Sequence, residues 1–156
     1  MKATNGLRQA NFMKEGHNHA IIKNFFKTYE EGANTFDPEL IVSQYNSEFM
    51  GAGPAGVAVA KNDDLRRAMP TRKKLFKAIG FKKAAILDLH QTWLDDEYVL
   101  AKVHWQMDFQ KNDGTEVKAV FYDTYCLYVH EGNAKVVFFI SHEDERAVMK
   151  KLGLTD

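Results

Sequence analysis

The sequence predicts an α+β fold in which N-terminal helices pack on one face of a strongly curved antiparallel sheet. Three observations carry this. Apolar residues recur at helical spacing up to Gly80, they alternate from Phe81 to about His142, and the alternating stretch is cut only by short polar connections. Helices first and a meander afterwards is the order of a layered α+β domain.

The elements follow in chain order. Residues 1–11 are polar and aperiodic and are expected to form a flexible N-terminal arm, leaving 12–156 as one domain. Between His17 and Ala33, the residues Ile21, Ile22, Phe25, Phe26 and Tyr29 make one apolar stripe of a helix. Asp37-Pro38-Glu39 starts a second helix, because a carboxylate caps free amides and proline suits the first helical position; it should run to about Tyr45. Ser47–Met50 and Val57–Ala60 read as short strands around a glycine-rich loop. Asn62-Asp63-Asp64 opens a third helix that Gly80 ends. Four strands follow, joined at Asp95-Asp96, Asn112-Asp113-Gly114 and Gly132-Asn133, each short enough to force a hairpin. Ser141-His142-Glu143-Asp144 resembles a capping box and predicts a short C-terminal helix to Leu152.

Composition narrows the function. The 156 residues are 45% apolar and 27% charged, which fits one ordinary globular domain. Lysine plus arginine equals aspartate plus glutamate at 21 each, so no global field draws the chain to nucleic acid, which is an unlikely partner. No stretch approaches the ~20 apolar residues of a membrane span, the N-terminus lacks an apolar signal core and Cys126 stands alone. A cytoplasmic protein is expected. Arg66, Arg67, Arg72, Lys73, Lys74 and Lys77 make the third helix basic, which reads as a solvated face. Gly51-Ala52-Gly53-Pro54-Ala55-Gly56 spells a dinucleotide-binding motif, but the strand-like Val57–Ala60 follows where a helix is required, so that reading is rejected and no cofactor is implied.

Turn length fixes register, and register decides which side chains share a face. A two-residue Asp95-Asp96 loop puts Asp88 opposite Val103 and His90 opposite Ala101. A three-residue Asn112–Gly114 turn puts Asp123 opposite Val103 and Tyr125 opposite Ala101. A two-residue Gly132-Asn133 turn then sets His142 opposite Asp123. The predicted inner face is apolar, with Trp105 and Phe121 as an aromatic wall, except for Asp88, His90, Asp123, Tyr125 and His142. A bulge would reverse these assignments beyond it. Asp123 beside His142 is the sharpest feature, since a carboxylate can hold an imidazole in one tautomer and raise its pKa. Asp88, His90, Tyr125, Trp105 and Phe121 would bind substrate; no ligand spacing supports a metal. The opposite face, with Leu87, Leu89, Trp93, Tyr98, Leu100, Tyr122, Tyr128 and Phe139, is too aromatic for a face meant only for water, and predicts a homodimer through the outer sheet.

Helices followed by a curved meander, with the segment from Tyr29-Glu30-Glu31-Gly32 through Phe36-Asp37-Pro38-Glu39 to Gln44-Tyr45, then Gly53-Pro54 and Glu131-Gly132-Asn133-Ala134, resemble the nuclear-transport-factor-2-like superfamily over about residues 12–143. That resemblance implies a cone closed at one end around a pocket. Its members include ketosteroid isomerases, SnoaL-type polyketide cyclases, scytalone dehydratases and non-catalytic association domains, so the fold alone does not choose a function. Tyr29 falls where ketosteroid isomerases keep their oxyanion-stabilising tyrosine. Their catalytic aspartate before a proline is replaced by Gly53 before Pro54. The resemblance implies a cofactor-independent isomerase, dehydratase or cyclase acting on a small organic ligand, in which the register-derived pair would serve with His142, oriented by Asp123, as base or acid, and Tyr29 or Tyr125 would polarise a carbonyl. The rival is a non-catalytic binding or association domain.

Overall fold

The computed structural model describes residues 2–156, with the side chains of 2–5 and 10–12 outside the description. Helix α1 (Lys2–Thr35) is followed by α2 (Pro38–Val42), strands β1 (Tyr45–Gly53) and β2 (Gly56–Lys61), and helix α3 (Asn62–Ala78). Strands β3 (Phe81–Trp93), β4 (Tyr98–Gln110), β5 (Glu116–His130) and β6 (Asn133–Ser141) come next, and α4 (Glu145–Lys151) closes the chain. The segment expected as an arm is helical from Lys2 onward and continuous with α1. The expected helix to Tyr45 stops at Val42, and Tyr45 opens β1 instead.

The six strands form one sheet in the order β2-β1-β6-β5-β4-β3. All neighbours are antiparallel except β1 and β6, which run parallel. Ile22 and Phe26 of α1 and Phe76 of α3 are buried against Val99, Val103, Phe109, Leu127 and Val136 of the sheet. The amphipathic stripe of α1 thus finds the apolar face of the strands, and that burial is the main stabilising term.

Local chemistry sets each junction. Asp37 caps α2 by accepting from the amides of Glu39 and Leu40 at 3.0 and 3.3 Å. Asp144 caps α4 through the amide of Ala147 at 3.2 Å. The edge strand β3 would leave amides unpaired, and α1 supplies partners. The Asn34 side chain exchanges two 2.8 Å hydrogen bonds with the backbone of Ala84, and Glu30 accepts from the Ile86 amide at 2.8 Å. Gly80, at φ +86°, joins α3 to β3 and accepts a 2.8 Å hydrogen bond from the Gln110 amide. A Cβ there would lie 1.9 Å from the Gln110 carbonyl oxygen.

Register separates the three hairpins. Strands β4 and β5 pair without interruption from Tyr98 opposite Tyr128 to Gln110 opposite Glu116, so Val103 faces Asp123 and Ala101 faces Tyr125 as the three-residue turn requires. The β3–β4 loop is one residue longer than expected: the Leu94 amide reaches the Tyr98 carbonyl, and the Asp95 side chain holds the amides of Glu97 and Tyr98 at 2.8 and 2.7 Å. A bulge at Leu87 absorbs the extra residue, since Ile86 faces Trp105 while Asp88 faces His104. The β5–β6 turn is Glu131-Gly132, both at positive φ as a tight hairpin turn demands. Beyond it Val136 faces Leu127 but Phe138 faces Cys126, so Val137 is a second bulge.

Candidate functional site

The concave side of the sheet, α1, α2 and α3 enclose a cavity of about 270 Å³. Its walls include Phe36, Phe76, Trp105, Met107, Phe121 and Phe139, and its polar groups gather from several elements. Alternation along β5 turns Phe121, Asp123 and Tyr125 inward together, and the uninterrupted register brings Trp105 of β4 opposite Phe121.

One buried corner is phenolic. The hydroxyls of Tyr29 and Tyr45 are 2.5 Å apart, and the Tyr29 ring lies 5.2 Å from that of Tyr125 and 5.9 Å from Trp105. The Tyr125 hydroxyl donates to Asp123 at 3.3 Å. Burial pushes all three phenols well above their ordinary pKa, with the Asp123 charge adding to the effect on Tyr125, so they stay neutral hydrogen-bonding groups. Burial also raises the Asp123 carboxyl; hydrogen bonds from Ser141 and Tyr125 work against the rise, while Glu145 and Glu143 add to it.

The rim is ionic. Arg72 of α3 binds Glu145 of α4 through two hydrogen bonds of 2.9 and 3.1 Å, and its guanidinium lies 4.2 Å over the Phe76 ring. Glu143 accepts from the Tyr122 amide at 2.7 Å. Two buried polar atoms, Oε1 of Gln44 and Nε1 of Trp105, have no partner among the described residues, and both side chains line the cavity.

Of the residues singled out from sequence, Tyr29, Asp123, Tyr125, Trp105 and Phe121 line this cavity. His142, Asp88 and His90 do not. The Val137 bulge reverses parity in β6, so Ser141 faces Asp123 and His142 turns out to the convex face, where its Nε2 meets the Thr124 hydroxyl at 2.7 Å. In β3 the cause is the connection itself: with one residue more than expected before Tyr98, Asp88 and His90, on the loop side of the Leu87 bulge, are exposed opposite His104 and Lys102, and the bulge restores the expected facing from Ile86 back. The same reversals carry Leu89, Trp93 and Phe139, expected outside, against the core.

Sequence reasoning missed Tyr45, Gln44, Arg72, Ser141, Glu143 and Glu145. Tyr45 had been assigned to a helix end, and Arg72 was indistinguishable from its exposed basic neighbours. An arginine one turn before an apolar helix residue, with an acid after the last strand, was the only trace of the rim. Among the described residues, no group of three or more His, Cys, Asp or Glu is placed to hold a metal, and no helix is long and apolar enough to cross a membrane.

Comparison with known proteins agrees with this architecture. An NTF2-like protein of cystatin-like fold from Novosphingobium aromaticivorans superposes with a TM-score of 0.72 at 15% identity, over 90% of this chain and 94% of that one. A ketosteroid isomerase-like protein from Erwinia carotovora atroseptica gives 0.61 at 13% identity, over 79% and 93%. A calcium/calmodulin-dependent protein kinase II association domain-like protein from Xanthomonas campestris gives 0.60 at 13%, over 80% and 86%. At such identities the likeness is one of fold, and it spans both enzyme-like and association-type names. None of the curated proteins matches the chain. The family model described as NTF2-like protein (DUF6841) matches residues 15–144, nearly the whole of the helical layer and sheet just described, and the chain belongs to that NTF2-like family.

Proposed function

We propose that this protein binds a small organic molecule in the cavity and moves a proton on it without a diffusible cofactor, as an isomerase, dehydratase or cyclase does. The observation that carries this reading is a carboxyl raised by burial, Asp123, beside neutral phenols in an aromatic enclosure. A raised carboxyl is closer to the pKa of an effective general base at neutral pH. Asp123 takes a proton from the carbon next to a ligand carbonyl. The electron pair of that C–H bond becomes the enolate C=C, the carbonyl π pair moves onto oxygen, and the Tyr29 hydroxyl donates to that oxygen. Asp123 then returns the proton either to the far end of a C=C conjugated with the enolate, which shifts the double bond as the carbonyl re-forms, or to a β-hydroxyl, which departs as water with its C–O bonding pair while the C=C forms between the two carbons and the carbonyl re-forms. Trp105 and Phe121 hold the flat body of the ligand.

Solvent-deuterium exchange next to the carbonyl of a panel of small cyclic ketones, followed by proton NMR, tests this. Exchange above the buffer rate is expected, falling about 100-fold or more in Asp123→Asn and unchanged in His142→Ala. Exchange that survives Asp123→Asn would remove the base.

The association reading has its own support on the convex face, where Leu87, Val120 and Tyr122 are 50%, 47% and 38% exposed beside Leu100 and Tyr128. We propose that two copies pair through this face. Light scattering at micromolar concentration should give twice 17.8 kDa, and Val120→Arg should return the single-chain mass. A wild-type monomer would end that proposal. A single unpaired cysteine, Cys126, suits a reducing cytoplasmic setting.

A further inference from the structure

The polar inventory of the cavity is lopsided. Among the described residues three carboxylates line it, Asp123, Glu143 and Glu145, against the single guanidinium of Arg72. Arg72 is not free to receive an anion, because Glu145 occupies it in a two-point bond and Phe76 covers one face. The pair is neutral as a unit. Asp123 and Glu143 remain, and no cationic side chain that lines the cavity is left to balance them. The unpaired hydrogen-bonding groups are one of each kind: the buried Oε1 of Gln44, on a side chain 5% exposed, is an acceptor with no donor, and Nε1 of Trp105 a donor with no acceptor, so the cavity offers a ligand N–H a partner and the charge balance decides the preference.

A carboxylate-bearing ligand would add a third uncompensated negative charge to a desolvated site, where like charges repel far more than in water. A neutral ligand would leave the imbalance as it stands. A ligand carrying a protonated amine would offset it and bring several N–H donors. The aromatic walls suit such a cation as well, because ring faces attract positive charge.

We propose that the cavity selects a small ring compound bearing a protonated amine, with the ammonium directed to Glu143 and Asp123 and the ring seated among the aromatic walls. The proposal rests on the small-molecule reading above and deepens it by naming the ligand class.

Three probes of one shape separate the possibilities: 1-naphthylmethylamine, 1-naphthylmethanol and 1-naphthoate, titrated against the full chain and followed by tryptophan fluorescence. The amine is expected to bind at least about tenfold tighter than the alcohol, and the carboxylate weakest. The amine's advantage should shrink as salt is raised and fall severalfold in Glu143→Gln, whose amide oxygen retains the Tyr122 contact; circular dichroism confirms that this variant is folded. Equal binding of amine and alcohol, or tighter binding of the carboxylate, overturns the charge selectivity and leaves the pocket reading standing. Failure of all three probes to bind overturns both.

Discussion

The β4–β5 hairpin and the two pairings that flank it were built under the same rule and came out differently. In the central hairpin the turn sets the register and the register persists for the whole length, so Trp105, Phe121, Asp123 and Tyr125 all face the cavity. In β6 a single extra residue, Val137, turns every side chain beyond it to the other face, whereas in β3 the longer connection turns the residues next to it and the bulge at Leu87 turns the strand back. A turn therefore dictates orientation only as far as the first bulge. Asp123 and Tyr125 come to the cavity from the uninterrupted hairpin and Tyr29, Arg72 and Glu145 from helices, while Ser141 reaches it only because the Val137 bulge turned it inward in place of His142.

Substitutions on alternate residues test this contrast. The largest effect is expected in the central hairpin: Val103→Asp, at a fully buried position, should cost about 4 kcal/mol by urea denaturation, because it buries an unpaired charge. Lys102→Asp, one residue earlier and exposed, should cost less than about 1 kcal/mol. Similar losses at both would dissolve the inward-outward alternation there. In β6, Phe139→Ala should cost about 2 kcal/mol and Ile140→Ala less than about 1 kcal/mol; the opposite ranking would abolish the Val137 bulge and bring His142 back inside.

The smallest effect is a pH dependence. Asp123 has a folded-state pKa above its unfolded value, so the native state holds that proton more tightly than the unfolded chain does. Its contribution is favourable below the unfolded pKa and is lost as pH rises through the folded one. Asp123→Asn should therefore match the wild type in stability at low pH relative to its own baseline and gain on it toward neutrality. A stability difference for Asp123→Asn that stays flat from acid to neutral pH would mean the carboxyl is not desolvated.

The sequence-level reading of the fold succeeded where local chemistry is strong. Alternation and turn residues located the four long strands, Asp37-Pro38 marked the start of α2, and the Asn112–Gly114 turn gave the central register. The site was half legible for the same reason. Tyr29 came from the helical stripe, and Asp123, Tyr125, Trp105 and Phe121 from the one hairpin without a bulge. The bulge at Val137 leaves no mark in the residue pattern, because Val136 to Phe139 are apolar on either parity, and at Leu87 the adjacent Ile86 and Leu87 hide which of them starts the inward set. Tyr45 was lost with the helix end, and the Arg72–Glu145 bond joins residues 73 positions apart that only the closed fold brings together.

Gly80 bears on how this cavity keeps its size. Helix α3 supplies Arg72, Met69 and Phe76 to the enclosure, and it is tethered to the sheet at a spot with no room even for a methyl group. Alanine at position 80 would act as a wedge, prying the helical roof from the strands, so damage there should surface as altered ligand uptake well before the rest of the molecule unravels.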